Sequence, residues 1–211
     1  MSPSGVWLAW LTANVLPSVA VSVLLAMFAT TLGTNTSAVV AYVVLFALVA
    51  ALQARVWSRW RTGRDEVRMG GRRWVTWTLV GLVTAMFFGV GTLATLDGLG
   101  HERIGLVAGW VVAGLVLGIA QAPLLGVPTT RAAWWVAASV VGWAGAAAVY
   151  APLSRVAAPI VEAPGIRWLL GGLAIEGNVE LAITAVTFAI YGVITGAVLA
   201  HLTPRPSAAA P

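Results

Sequence analysis

Six long runs of apolar residues, separated by short polar or charged segments, dominate the sequence. Hydrophobic residues make up 60% of the 211 positions and charged residues only 9%, whereas a water-soluble domain carries about 25% charged residues. A soluble fold of this size would need more charge to cover its surface. Because a helix needs about 20 apolar residues to cross the hydrocarbon core of a bilayer, we predict that most of the chain lies in lipid.

The runs predict an all-α fold, a polytopic transmembrane bundle of six helices arranged as three tandem hairpin repeats. We expect one transmembrane domain over residues 1–202 and a Pro- and Ala-rich disordered tail at 203–211. The last apolar region is too long for a single span, so we treat 168–180 as a separate interfacial or re-entrant segment. The predicted spans are residues 6–32, 38–57, 74–96, 104–125, 132–153 and 181–202.

The distribution of arginine predicts the orientation of these helices. All twelve basic residues are arginine, and seven of them lie in the segment from Arg55 to Arg73. Because short loops rich in positive charge stay on the cytoplasmic side, we place this segment and both chain termini in the cytoplasm. We interpret the absence of lysine as a GC-rich coding bias. The sequence therefore predicts a multi-pass protein of the bacterial cytoplasmic (inner) membrane.

The three pairs of spans resemble one another, which indicates an internal repeat. Each odd-numbered span opens on tryptophan, and each even-numbered span has a step of small residues followed by glutamine in two of three copies. Parallel repeats of this kind are related by an axis along the membrane normal. The alternative is that tryptophan marks membrane interfaces in general. The aligned positions are Trp7, Trp74 and Trp134 in the odd spans, and Gln53, Gln121 and Leu199 in the even spans.

Three segments in the second half of the chain carry further motifs. They are GIAQ at 118–121, WWVAASVVGW at 134–143 and YGVITG at 191–196. This pattern resembles uncharacterised small multi-pass bacterial membrane proteins with GxxxGxxQ and WWxxxxxxGW motifs, over about residues 114–202. The resemblance implies a membrane bundle of about six helices. It implies no known activity, so no catalytic residue follows from it.

Polar residues in or beside the spans are candidate ligand-binding residues. Glu176 and Glu180 share one helix face, and acids within a membrane are costly and often functional. The alternative is that they lie at the outer surface, where acids are well solvated. Side-chain amides in lipid need partners, so hydrogen bonding between helices is the alternative role for Asn14, Gln53 and Gln121. The candidates are Glu176, Asn178, Glu180, Asn14 and Gln121.

Two further groups of residues are predicted to contact neighbouring helices and lipid headgroups. Glycines spaced four apart let helix backbones approach closely, either within this chain or in a dimer or partner interface. Arginines near the membrane surface attract anionic headgroups by about 1 kcal/mol each, although they could instead bind a cytoplasmic protein. The packing glycines are Gly105, Gly109, Gly114, Gly118, Gly192 and Gly196, and the headgroup arginines are Arg55, Arg59, Arg61, Arg72 and Arg73.

The functional prediction depends largely on the catalytic motifs and the charged residues that the sequence lacks. The chain has no cysteine and no GxSxG, HExxH or phosphate-loop motif, and the span centres carry no charge. We therefore expect no enzyme activity, metal or cofactor. Because the arginines cluster between helices and the densest segment also contains Asp65 and Glu66, we expect no nucleic acid partner. The sequence favours a non-catalytic accessory or assembly subunit, or a binder of a hydrophobic ligand, with membrane lipids, partner helices or a second copy as partners. The alternative is a small transport protein or the substrate-binding membrane subunit of a transporter.

Overall fold

The computed structural model describes residues 2–32, 34–60, 66–162 and 173–202. Within these ranges the regular structure is entirely helical, with six long helices and one short 3-10 turn at Ala122–Leu125. The helices are α1 Pro3–Leu32, α2 Thr34–Trp60, α3 Glu66–Gly98, α4 Glu102–Gln121, α5 Thr129–Glu162 and α6 Leu173–Leu202.

The composition of the helices explains why they form and where they lie. Five of the six, all except α2, contain a described stretch long and apolar enough to cross a membrane. Large apolar side chains cover the outside of the bundle: Phe87 is 77% exposed, and Val83 and Trp134 are each 68% exposed. In lipid a helix satisfies its own backbone hydrogen bonds, whereas irregular backbone cannot. The predicted fold class, an all-α bundle of six helices, is confirmed, and five of the six are long and apolar enough to span a membrane.

The six helices form a closed ring in chain order. Each helix packs against the helices before and after it, and α6 closes the ring against α1. Consecutive helices run antiparallel, so the N-termini of α1, α3 and α5 meet the C-termini of α2, α4 and α6 at one end. We call this the arginine-rich end, because its exposed residues include Arg55, Arg59, Arg72, Arg73 and Arg131. The other end, with the turn at 99–101, is called the opposite end.

Several helices extend further than the sequence predicted. Most of the segment from Arg55 to Arg73 is helical, since α2 continues to Trp60 and α3 begins at Glu66. The fifth helix does not end at 153 but continues through Pro152 and Pro159 to Glu162. A proline removes one backbone hydrogen bond, but neighbouring helices and side chains in a membrane bundle can compensate for it.

The last helix also differs from the prediction. Residues 173–180, predicted as part of a separate segment, form the first turns of α6 and are continuous with the span that follows. Residues 168–172 and the tail at 203–211 lie outside the described residues. At the other side of the bundle, α4 ends in a 3-10 turn because Pro123 has no N–H to continue the helix. Gly126 then reverses the chain with a φ of 59°.

Candidate functional site: a buried polar layer and an apolar cavity

Three tryptophans, one from each odd-numbered helix, meet inside the ring near the arginine-rich end. Trp10, Trp74 and Trp135 are all 0% exposed. Their ring centroids lie 5.5 to 6.3 Å apart, and each pair is arranged edge to face. Such pairs contribute about 0.5–1.5 kcal/mol beyond the area they bury. The three odd-numbered helices therefore contact one another through these rings.

Hydrogen bonds join this cluster of rings to the even-numbered helices. The indole nitrogen of Trp10 donates to the hydroxyl of Thr195 at 2.9 Å. The indole nitrogen of Trp74 donates to Oε1 of Gln53 at 3.4 Å, and Nε2 of Gln53 donates to Oδ1 of Asn14 at 2.9 Å. Because Asn14 and Gln53 are at most 1% exposed, these bonds lie fully inside the bundle.

Gln121 completes this arrangement. Its Nε2 donates to the hydroxyl of Thr78 at 3.0 Å and to Oε1 of Gln53 at 3.4 Å. Within the described residues, the buried atoms of this region that have no partner include Oε1 of Gln121, Nε1 of Trp135 and the hydroxyl of Ser139. We use the name polar layer for the residues that these hydrogen bonds join: Trp10, Asn14, Gln53, Trp74, Thr78, Gln121 and Thr195. Asn14 and Gln121, both predicted as ligand-binding candidates, are connected here through Gln53 and bind other protein side chains.

The tryptophans that occupy equivalent places in the structure are not the ones that the sequence alignment paired. The alignment paired Trp7, Trp74 and Trp134, but Trp134 is 68% exposed and Trp7 lies one turn before the buried cluster. The three buried rings share another property, a small polar residue four positions later: Asn14, Thr78 and Ser139. That W-x-x-x-polar spacing is the sequence signal that would have identified the correct register.

A cavity of about 330 Å³ lies between the polar layer and the opposite end. Its walls come from α2 through α6 and are almost entirely apolar. Trp143 forms one wall, with its ring centroid 5.4 Å from that of Trp110 and 5.8 Å from that of Tyr191. Met86 and Val90 of α3 also line the cavity, and they are 44% and 57% exposed. The cavity therefore opens sideways, on the outer surface of α3.

Tyr191 separates the cavity from the polar layer. Its side chain is 2% exposed and packs on α5, where a Cβ at Gly142 would lie 3.0 Å from the tyrosine ring. The phenol hydroxyl faces Ser139, one turn after Trp135, but the two hydroxyls are not in hydrogen-bond geometry. The main-chain oxygen of Tyr191 accepts a hydrogen bond from the hydroxyl of Thr195. Tyr191 thus lines the end of the cavity nearest the polar layer and is hydrogen-bonded to Thr195 of that layer.

The remaining candidate residues lie at the two ends of the bundle. Glu176, Asn178 and Glu180 belong to the first turns of α6, at the opposite end, and their side chains lie outside the described part of the structure. Among the predicted headgroup residues, Arg61 is likewise outside the described residues. The other four are exposed at the arginine-rich end: Arg55, Arg59, Arg72 and Arg73.

All six predicted packing glycines lie against a neighbouring helix of the same chain. A Cβ at Gly109 would lie 2.6 Å from the carbonyl oxygen of Gly89 on α3. The sequence analysis did not single out Gly89, which is the counterpart of this close contact. Gly105 also lies against α3, Gly114 and Gly118 against α5, and Gly192 and Gly196 against α1.

No protein-family model, curated protein or solved structure matches this chain. The chemistry of the described side chains is therefore the basis for a function. Among them, no three His, Asp or Glu residues come together as metal ligands. His101 lies at the opposite end, and His201 lies in the last turn of α6 at the arginine-rich end.

Proposed function

We propose that this protein is a non-catalytic integral membrane protein that binds an apolar ligand in the cavity beside Trp143. The observation that supports this is the size and lining of the cavity. At about 330 Å³ it falls within the usual range of ligand sites, about 300–1,000 Å³. An apolar cavity of about 150 Å³ already suffices to bind benzene.

The surroundings of the cavity indicate how a ligand would be held. A ligand that arrives from lipid gains little hydrophobic free energy, because lipid tails are as apolar as the cavity. Selectivity must then come from shape and from dispersion contacts with the rings of Trp110, Trp143 and Tyr191. The mouth beside Met86 and Val90 faces the same side as the exposed apolar surface of α3, so a ligand can enter from the bilayer.

The transport alternative gains no support from the amide side chains. Asn14 and Gln121 were candidates for contact with a polar substrate. Both are hydrogen-bonded in the polar layer, and neither lines the cavity. An apolar cavity lined by aromatic rings favours ligand binding over the passage of a polar solute.

The three hairpins are proposed to be an internal repeat with pseudo-threefold character. The edge-to-face contacts of Trp10, Trp74 and Trp135 support this, because each helix pair contributes one ring to the same cluster. In the third copy Leu199 replaces the glutamine. Thr195, one turn earlier, accepts the tryptophan hydrogen bond there.

The location proposed for the protein is the bacterial inner membrane, with the arginine-rich end and both termini in the cytoplasm. This orientation is testable because the natural chain has no cysteine. We expect Ser58→Cys, at the arginine-rich end, to react with a membrane-impermeant maleimide only after cells are permeabilised. Leu99→Cys, at the opposite end, should react in intact cells. The reverse pattern of labelling would contradict the proposed orientation.

Ligand binding is tested with N-phenyl-1-naphthylamine, a neutral apolar fluorophore, added to the protein purified in a mild detergent. We expect saturable fluorescence enhancement, and at least tenfold weaker binding in Val90→Trp, because the larger ring fills the mouth of the cavity. Val83→Trp is the matched control, since Val83 is exposed on the same helix and does not line the cavity. Its affinity should equal that of the natural protein.

A second pair of variants tests the interior of the same cavity. Ala146 is 1% exposed and lines the cavity, whereas Ala148 on the same helix is exposed. We expect Ala146→Leu to weaken binding of the fluorophore and Ala148→Leu to leave it unchanged. Equal binding by all four variants and the natural protein would refute the cavity as the site.

A further inference from the structure

A second apolar depression lies on the outside of the bundle, between α1 and α2 near the arginine-rich end. It is a groove of about 400 Å³. Leu8 and Leu16 of α1 line it and are 58% and 52% exposed, while Leu52 and Val56 of α2 form its other wall. Because these walls face outwards from an apolar bundle, the groove is accessible from lipid. Its lining shares no residue with that of the cavity beside Trp143.

Positive charge is placed along one side of this groove. Arg55 and Arg59 both line it, are exposed, and lie four residues apart on α2, so their guanidinium groups extend from the same helix face. Neither forms an ion pair within the described residues. The two acidic residues whose side chains are described, Asp97 and Glu102, lie at the opposite end of the bundle.

The neighbouring end of α1 adds to this positive field. Gly5 lines the groove in the first turn of α1, so the positive end of that helix dipole lies beside the arginine side chains. The first turn of α1 contains no acidic residue. An anion held between Arg55 and Arg59 would therefore be stabilised by two guanidinium groups and by a helix terminus, and none of the carboxylates whose side chains the structure describes lies beside it.

We infer that the groove between α1 and α2 binds one anionic phospholipid. Its phosphate would lie between Arg55 and Arg59, and an acyl chain would run along the groove towards Leu16. A guanidinium group donates two parallel hydrogen bonds to phosphate, which distinguishes it from the point charge of lysine. A free phosphate would leave the apolar walls unused, and a zwitterionic lipid would bring a quaternary ammonium group, which the two arginines repel, together with its phosphate. This site is independent of the ligand proposed for the cavity.

The test measures lipid binding to the full chain in a mild detergent by native mass spectrometry and by thermal stability. The probes are phosphatidylglycerol and phosphatidylcholine with identical acyl chains. We expect one tightly bound phosphatidylglycerol, with at least tenfold preference over phosphatidylcholine. Inorganic phosphate at the same concentration should neither raise the melting temperature nor displace the lipid. Displacement of the lipid by inorganic phosphate would overturn the assignment of a lipid as occupant.

The matched variants separate this site from general electrostatic attraction. Arg55→Gln with Arg59→Gln should abolish the preference, whereas Arg72→Gln with Arg73→Gln removes the same charge from exposed positions outside the groove and should retain it. Arg55→Lys with Arg59→Lys should show an intermediate preference. Equal losses in the two glutamine pairs, or no preference in the natural protein, would overturn the inference. All four arginines are exposed, so these substitutions leave the core unchanged.

Discussion

Replacing Gly109 by valine is expected to lower the free energy of unfolding by about 3 kcal/mol or more. A Cβ at Gly109 would lie 2.6 Å from the carbonyl oxygen of Gly89, and a Cβ at Gly89 would lie 2.8 Å from the carbonyl oxygen of Gly109. The obstacle in each case is backbone, which cannot rotate away as a side chain can. The variant can accommodate valine only by separating α3 from α4.

The matched control for this variant is Gly91→Val on α3. A Cβ at Gly91 meets no atom within 4 Å, and valine is a slightly better helix former than glycine. Its stability should be unchanged or slightly higher. Unfolding would be measured by SDS titration of the protein in mixed micelles. A Gly109→Val protein within 1 kcal/mol of the natural chain would show that the α3–α4 contact is not tightly packed.

Replacing Gln53 by leucine is expected to cost about 2–4 kcal/mol of stability. Gln53 donates to Asn14 and accepts from Trp74 and Gln121. Leucine preserves most of the volume but makes none of these bonds. Gln121 would keep its bond to Thr78, but Oδ1 of Asn14 and Nε1 of Trp74 would become unsatisfied in the interior.

The loss of stability expected for Gln53→Leu depends on which of two effects dominates. A hydrogen bond between membrane helices contributes about 0.6 kcal/mol on average, because the unfolded chain also finds partners in lipid. A buried group that loses its partner costs about 1–3 kcal/mol, and two such groups result here. The same titration applied to Thr92→Val serves as control, since in the described part of the chain that hydroxyl bonds only the carbonyl of Phe88 in its own helix. A change below 0.5 kcal/mol in both variants would contradict the structural role of the polar layer.

The amide residues show how far the sequence predicted the site. Asn14, Gln53 and Gln121 were identified as polar groups that need partners in lipid, and their partners are indeed one another and the neighbouring hydroxyls. The sequence could not say that Gln53 joins the other two. Such a pairing depends on the rotation of three helices about their axes, and no local pattern specifies that rotation.

The cavity was not predicted from the sequence at all. Trp110 and Trp143 lie inside predicted spans, whereas membrane tryptophans are typical of the interfaces. Their positions were therefore a signal that the sequence analysis did not use. Even so, an aromatic residue inside a span can fill a core as readily as it can line a cavity. The difference lies in the small residues around it, such as Ala113 on α4 and Ala146 one turn further along α5, which leave the space beside Trp143.

The sequence alone determined the class of the fold and the approximate position of its helices. In lipid every backbone group must be satisfied within its own segment, so an apolar run of sufficient length specifies a helix without reference to the rest of the chain. Only the tertiary structure decided that Trp10 and Trp135, rather than Trp7 and Trp134, meet Trp74. It also decided where the cavity and the groove lie, because both are properties of contacts between helices that are distant in sequence.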